Sequence, residues 1–271
     1  MSRQRITARG LGQNFLVDRA AIRRIVEALA AGPGDAVVEI GPGRGALTEG
    51  LIAGAGRIVA IEYDRRLAEA LRRRFAETRL IVVARDVLRV ELASLGPLLG
   101  RPAGAPLAVA GNLPYAISKP VAMKLIRERR SVARAILMFQ KEVADRLLAD
   151  PGTRSYGPLT VLARLTYTVE RLFDLGPGAF RPRPKVDSTV TTWRPLEATL
   201  DERTERALVS VLAAAFRSRR RTLRNNLLAA LDDGARVDRL LGASGLDSTV
   251  RAEAIPPDGF LGLAHGWPPS L

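Results

Sequence analysis

The stretch AVVEIGPGRG, residues 36–45, decides how this chain is read. Ala36–Ile40 has the length and apolar character of a buried strand, and it runs straight into Gly41-Pro42-Gly43-Arg44-Gly45. A glycine-rich turn between a first strand and its helix lets the backbone approach a ligand closely, at the positive end of the helix dipole. The helix is expected over Ala46–Ala53. The next strand, RIVAIE at 57–62, ends on Glu62, 21 residues after Gly41. An acidic side chain at about that distance binds ribose hydroxyls.

The glycine spacing discriminates among nucleoside ligands. Dinucleotide sites read G-x-G-x-x-G, whereas Glu39 to Gly45 reads E-x-G-x-G-x-G. That pattern is similar to an S-adenosylmethionine site. No Gly-Lys-[Ser/Thr] follows, so a Walker A phosphate loop is excluded. Asp86, just past the third strand LIVVA (80–84), is placed either to accept from an adenine amine or to cap the next turn.

Working outward, strand-like and helix-like segments alternate over the first ~190 residues. Helical spacing of Ile22, Ile25, Val26 and Leu29 predicts a helix over 18–31, which Gly32-Pro33-Gly34 ends. Further helices are expected over 65–75, 119–129 and 141–149, and strands over 106–110 and 133–139. Leu159–Leu172 and Lys185–Arg194 read as two late strands, rich in Thr and Val. The alternation predicts a parallel, doubly wound α/β sheet, with the late pair as an antiparallel edge. After about Leu196 strand signals stop, and helical patterns run over 202–216, 223–231 and 237–241.

Composition removes several classes of function. The 271 residues contain no Cys, which excludes a disulfide scaffold and thiol catalysis. A single histidine, His265, excludes a His-rich metal site and disfavours His-based acid–base chemistry. No metal is expected. No run approaches the ~18–20 apolar residues of a membrane span, and no apolar run of secretory length follows the basic Met1–Arg9. A cytoplasmic protein without a membrane association is expected. The net charge is +14, carried by 38 Arg and only four Lys. Such an excess attracts polyanions, although an Arg-rich genome would produce the same bias. Residues 1–190 hold 31 basic and 18 acidic residues, and the remainder is nearly neutral.

The fourth strand leads into Gly111-Asn112-Leu113-Pro114-Tyr115. Open α/β sheets place their chemistry at the carboxyl ends of parallel strands. An Asn, a Pro-fixed turn and an aromatic suit methylation of an exocyclic amine. The Asn oxygen and a backbone carbonyl accept the two amine hydrogens and aim the lone pair, while Tyr115 stacks on the base. No strong base is required, so rate comes from proximity and alignment. Alone, the same residues read as a β-turn with a packed Tyr.

Five motifs occur in order: Gly12-Gln13-Asn14-Phe15-Leu16, Glu39–Gly45, Asn112-Leu113-Pro114-Tyr115, Gln140-Lys141-Glu142-Val143 and Phe180-Arg181-Pro182-Arg183-Pro184-Lys185-Val186-Asp187-Ser188. Together they resemble the ribosomal RNA adenine N6-dimethyltransferase family, over nearly the whole chain. RSRRRTLRNNL (217–227), AIPPDGFLGL (254–263) and NLPYAIS resemble the branch acting on bacterial 16S rRNA more than the resistance methylases. The resemblance implies an α/β fold with a Rossmann-like seven-stranded class I methyltransferase sheet (1–195) and a small C-terminal all-α RNA-binding domain (196–271). It implies a monomer that dimethylates two adjacent adenines near the 3′ end of 16S rRNA in the small subunit or its precursor, from S-adenosylmethionine. A resistance-type enzyme on 23S rRNA and a non-catalytic assembly factor of the same fold are the alternatives; a small-molecule methyltransferase is more distant.

Residue by residue, the resemblance assigns Asn14 and Leu16 to the methionine end of the cofactor and Gly41 and Gly43 to the turn beneath it. Glu62 takes the ribose, Asp86 the adenine amine, and Asn112 lies between cofactor and target. Leu113 and Pro114 shape the catalytic turn, while Tyr115 and Phe180 sandwich a flipped adenine. Phe180 also reads as an edge hydrophobe, and Asn14 as a residue capping the first helix. Lys119, Arg181, Arg183 and Lys185 are candidate RNA contacts beside the base pocket. Arg217, Arg219, Arg220, Arg221 and Arg224 form the densest basic cluster, either an RNA-binding face or a solvated helix face. Trp193 and Trp267 read as packing residues. The sequence departs from the family pattern at Leu11, where an aromatic is usual, and at Ala116 and Lys119, where Asn and Thr are common.

Overall fold

The computed structural model describes residues 14–197 and 200–268; Leu11, Gly12 and Gln13 lie outside them. The chain forms two compact units. The first takes residues up to 144 together with 168–195, and the second takes 145–167 together with 196–271.

In the first unit the elements are β1 (Phe15–Leu16), α1 (Arg19–Leu29), β2 (Ala36–Ile40), α2 (Ala46–Gly54), β3 (Arg57–Glu62), α3 (Arg65–Arg74), β4 (Leu80–Ala84), β5 (Leu107–Asn112), α4 (Ser118–Arg127) and β6 (Val132–Gln140). They are followed, after the helices α5 (Lys141–Leu147) and α6 (Pro158–Arg164), by β7 (Tyr167–Leu175), β8 (Phe180–Arg181) and β9 (Ser188–Pro195). Seven strands form one sheet in the order β4-β3-β2-β5-β6-β9-β7. Pairing is parallel from β4 through β6, and β9 is antiparallel to β6. Between β2 and β5 the strand order reverses, because β3 and β4 lie to one side and β6 to the other. This reversal opens a crevice at the carboxyl ends of β2 and β5. β1 and β8 pair separately, Leu16 against Phe180.

Local sequence explains these elements. All five residues of β2 are buried, as in a strand covered on both faces. α1 starts where the Asp18 carboxylate accepts the N–H groups of Ala20 and Ala21, at 2.9 and 3.0 Å. Its inner face is Ala21, Ile25 and Leu29, spaced four apart and all buried. At its other end Arg134, reaching from β6, donates to the carbonyls of Leu29 (2.6 Å) and Ala30 (3.0 Å). A cation there complements the helix dipole. Arg134 also pairs with Asp35 at 2.8 Å. The Gly32 N–H, with Arg134, holds the Asp35 carboxyl below its ordinary range.

One expected element is replaced. Leu159–Leu172 reads as a strand, but residues 158–164 form α6 and the strand starts at Tyr167. Pro158 occupies the first helical turn, where its missing N–H costs nothing. Leu159 to Ala163 are all buried, and an apolar run buried on every side carries no periodicity that separates helix from strand. The last strand also starts later than expected, at Ser188 rather than Lys185.

The second unit is helical: α6 with α7 (Glu202–Ala215), α8 (Leu223–Leu231), α9 (Gly234–Ala243) and α10 (Gly259–His265). Its core holds the aromatic chain Tyr156–Phe216–Phe260, with ring centroids 6.2 and 5.7 Å apart. The Tyr156 hydroxyl donates to the Ile255 carbonyl at 2.7 Å, and burial pushes that phenol up to about 12. The sequence boundary at 195 leaves residues 145–167 in the first domain, whereas they pack with these helices.

Candidate active site

The glycine-rich turn and the Asn112–Tyr115 segment leave the sheet side by side. Ile40 pairs with Gly111, so Gly41 and Asn112 emerge from neighbouring strands at the reversal. Gly111 is required there: a Cβ would lie 2.8 Å from the Ile40 carbonyl oxygen. Gly41, Gly43 and Gly45 all have φ between +58° and +83°, a region glycine enters without steric penalty. A Cβ on Gly43 would meet the Phe15 ring at 3.0 Å, so that ring lies directly on the turn.

Glu62 is buried at the end of β3. Its two oxygens accept from Gly43 N–H (3.0 Å) and Asp64 N–H (2.8 Å). The turn is thereby tied to the acidic strand end. Burial raises the Glu62 carboxyl above its ordinary range despite backbone N–H bonds from Asp64, Gly43 and Tyr63. Asp86 follows β4, whose Ala84 pairs with Glu62. It caps the short turn after the strand, accepting Leu88 N–H at 3.0 Å. The capping reading therefore holds, and the second carboxylate oxygen stands 3.9 Å from Arg89.

Asn112 is half-buried. Its amide nitrogen donates to the Asn14 backbone carbonyl at 3.1 Å. Leu113 is buried and donates its N–H to Met138. The Pro114 carbonyl accepts from Ile117 N–H and the Ser118 hydroxyl, which fixes the turn. The Tyr115 hydroxyl lies 3.3 Å from Ser188 Oγ, and burial raises its pKa. Leu16 and Phe180 face each other across β1 and β8, and both are buried in the main hydrophobic cluster with Ile25, Met138 and Val190. Phe180, expected to present a stacking face, is 1% exposed. In this arrangement it is a core ring, because β8 pairs with β1 and turns it inward. Of the aromatic pair, Tyr115 alone keeps an accessible part.

Lys119, Arg181, Arg183 and Lys185 are exposed; the Arg181 guanidinium is bound to the Gly178 and Phe180 carbonyls. The basic cluster of the second unit divides in two. Arg217 donates to the Ala229 carbonyl, Arg219 to those of Arg154 and Tyr156, and Arg224 forms a two-toothed pair with Asp238 at 2.7 and 3.0 Å. Arg220 and Arg221 are exposed, and their guanidinium groups have no partner among the described residues. With Arg217, Ser218, Asn226 and Ala229 they line a cavity of about 680 Å³. Asn226, buried beneath, donates to the Ala215 and Ser218 carbonyls and accepts Ser218 N–H, holding the loop in shape.

Sequence reasoning placed Glu39, Phe15, Arg44 and Ser188 inside motifs but gave none of them a role. Glu39 is fully buried, accepts the Thr48 hydroxyl at 2.6 Å and is pushed up to about 7, chiefly by burial. An acid inside an apolar strand, at the head of the glycine pattern, was its signal. The contacts of Phe15 and Ser188 join segments far apart in the chain, which sequence does not reveal. Among the described residues no group of three or more His, Asp or Glu could hold a metal ion, and no helix is long and apolar enough to cross a membrane.

A seven-stranded sheet of this order, with a glycine-rich turn and an acidic strand end at the reversal, defines a class I methyltransferase. Two solved structures share the fold: the 23S rRNA methyltransferase ErmE (TM-score 0.71, 27% identity, 94% of this chain and 99% of that one) and a dimethyladenosine transferase from Plasmodium falciparum (TM-score 0.75, 25% identity, 92% and 95%). The family model described as ribosomal RNA adenine dimethylase matches residues 6–264, and the chain belongs to that family. Relatives named Ribosomal RNA small subunit methyltransferase A include those of Acidobacterium capsulatum, 45% identical over 93% of this chain and 88% of that protein, and Geobacter sulfurreducens, 41% identical over 95% and 94%.

Proposed function

We propose that this methyltransferase transfers methyl groups from S-adenosylmethionine to N6 of two adjacent adenines near the 3′ end of 16S rRNA, in the small subunit or its precursor. The observation that carries the substrate is the 41–45% identity, over nearly full length, to relatives named for the small subunit. The 23S alternative draws support from a neighbour at 27% identity.

The residues present fit the cofactor. Gly41 and Gly43, both at positive φ, bring the turn backbone to the crevice without side chains of their own, and Glu62 presents a carboxylate to the ribose hydroxyls. Asp86, with one oxygen committed to its cap, offers the other to the adenine amine. Asn14 and Leu16 close over the methionine end. When bound, the cofactor supplies a methyl group on a positively charged sulfur.

Asn112 orients the target. Its Nδ2 is committed to the Asn14 carbonyl, which leaves Oδ1 to accept one hydrogen of the adenine amine. A backbone carbonyl of the turn held by Leu113 and Pro114 takes the other, and Tyr115 stacks on the flipped base. Phe180 contributes by supporting the strand beneath Leu16, and its ring reaches the base only if that strand shifts. Once methylated, the nitrogen loses its proton to solvent, so no protein base is required. Lys119, Arg181, Arg183 and Lys185 guide the strand through phosphates. Arg220 and Arg221 grip the RNA, on a loop braced by Arg217, Arg219 and Arg224. The protein acts as a monomer in the cytoplasm.

Mass spectrometry of rRNA after incubation of the purified protein with S-adenosylmethionine and unmethylated subunits tests this reading. Two dimethyladenosines in one 3′-terminal fragment of 16S rRNA are expected. Methylation of 23S rRNA alone, or cofactor binding without transfer, would overturn it.

A further inference from the structure

The amide of Asn112 has two orientations that differ only by exchanging oxygen and nitrogen, and only one presents an acceptor to an incoming amine. A backbone carbonyl can only accept. With the Asn14 carbonyl 3.1 Å from the Asn112 side chain, the nitrogen must face it; the opposite orientation would set two acceptor oxygens against each other. The choice is therefore made outside Asn112, by the segment 14–16.

That segment is held by an arrangement the reaction chemistry does not require. The Phe15 ring lies on Gly43, at the distance where a Cβ would collide. On it sits the Arg44 guanidinium, 4.6 Å from the ring centroid, within reach of a cation–π attraction. Arg44 is itself anchored: Arg74 of α3 donates to its carbonyl at 2.8 Å and pairs with Glu49 at 2.6 Å. On the far side Val17 N–H donates to the Ala179 carbonyl at 2.8 Å. Phe15 is thus gripped between the turn and an arginine next to the residue whose carbonyl meets Asn112.

We propose that Phe15 and Arg44 are positioning residues for methyl transfer: clamped on Gly43, Phe15 keeps the Asn14 carbonyl against Asn112 and so holds the Asn112 oxygen toward the target amine. This rests on the reading of Asn112 given above. Loosening the clamp frees the amide to rotate, and misalignment of about an ångström is enough to lower a rate by orders of magnitude.

The test is a kinetic double-mutant cycle on the full chain, with Phe15→Leu, Arg44→Ala, Arg44→Lys and Asn112→Ala, measuring single-turnover methyl transfer and RNA affinity. Phe15→Leu and Arg44→Ala should each slow transfer about tenfold or more, with RNA affinity within about twofold. Arg44→Lys keeps a cation over the ring and should recover most of the rate. In the Asn112→Ala background Phe15→Leu should add little further loss, because the amide it positions is gone. Unchanged transfer in both clamp variants, or a Phe15→Leu loss that multiplies in full with that of Asn112→Ala, overturns the proposal while leaving Asn112 its role. Full transfer by Asn112→Ala removes that role, and the clamp proposal falls with it.

Discussion

Replacing Glu39 by glutamine should make the stability of the first unit less dependent on pH. Glu39 lies in β2, an inner strand of the sheet, 1% exposed, with the Thr48 hydroxyl on one oxygen. Burial, with a smaller contribution from Glu62, lifts its carboxyl from 4.5 to about 7. At about 1.36 kcal/mol per pH unit, ionising it in the folded protein costs about 3 kcal/mol more than in the unfolded chain. The sign follows from the proton count. Below 4.5 both states are protonated and stability is complete. Between 4.5 and 7 the unfolded chain releases the proton first, so stability falls, and above 7 the loss is total. A glutamine amide at this position accepts the same hydroxyl and never ionises. Relative to wild type, E39Q should therefore gain about 3 kcal/mol between pH 4.5 and pH 8. Urea unfolding across that range, followed by fluorescence, measures it. In a Trp267→Phe background the signal comes from Trp193, which is buried beside Phe139 in the first unit. An E39Q advantage equal at pH 5 and pH 8 would show that Glu39 does not bind a proton in this window, and the reasoning from burial would fail.

Other expectations follow from the same geometry. Asn112→Ala should lower turnover by about a hundredfold or more while cofactor affinity, by equilibrium titration, changes little; a matching loss of affinity would make it a binding residue instead. Gly111→Ala drives a methyl against the Ile40 carbonyl at 2.8 Å, and it should cost about 1–3 kcal/mol in denaturant unfolding because a sheet backbone cannot yield as a side chain does. Neutralising Arg220 and Arg221 together should reduce the salt slope of RNA binding by roughly one per arginine without moving the melting temperature of the second unit. An unaltered slope would return them to a solvated face.

Legibility varied along the chain for physical reasons. The strands Ala36–Ile40, Arg57–Glu62 and Leu80–Ala84 were readable to the residue, because apolar runs bounded by turn and charged residues have little else to become. Residues 158–164 were not, since complete burial erases the pattern that separates helix from strand. The capping alternative for Asp86 was visible from its place before a turn, and the structure adopts it. Phe180 was readable as a motif residue but not as a core ring, because its burial depends on pairing with Leu16, 164 positions away.

Sequence alone determined the chemistry of the parts: a glycine-rich turn after the first sheet strand, acidic ends on the next two, an Asn-Leu-Pro-Tyr turn, and a basic cluster in a helical tail. Local backbone freedom and side-chain donor chemistry specify these without reference to distant residues. Tertiary structure decided how they act together. Pairing of β2 with β5 sets Gly41 beside Asn112, the strap at Asn14 and Phe15 orients an amide that chemistry leaves ambiguous, and contacts to carbonyls and to Asp238 divide five similar arginines into braces and free cations. Those outcomes depend on through-space contacts between separate segments, from 12 positions apart for Arg217 and Ala229 to 98 for Asn14 and Asn112, and no local pattern encodes them.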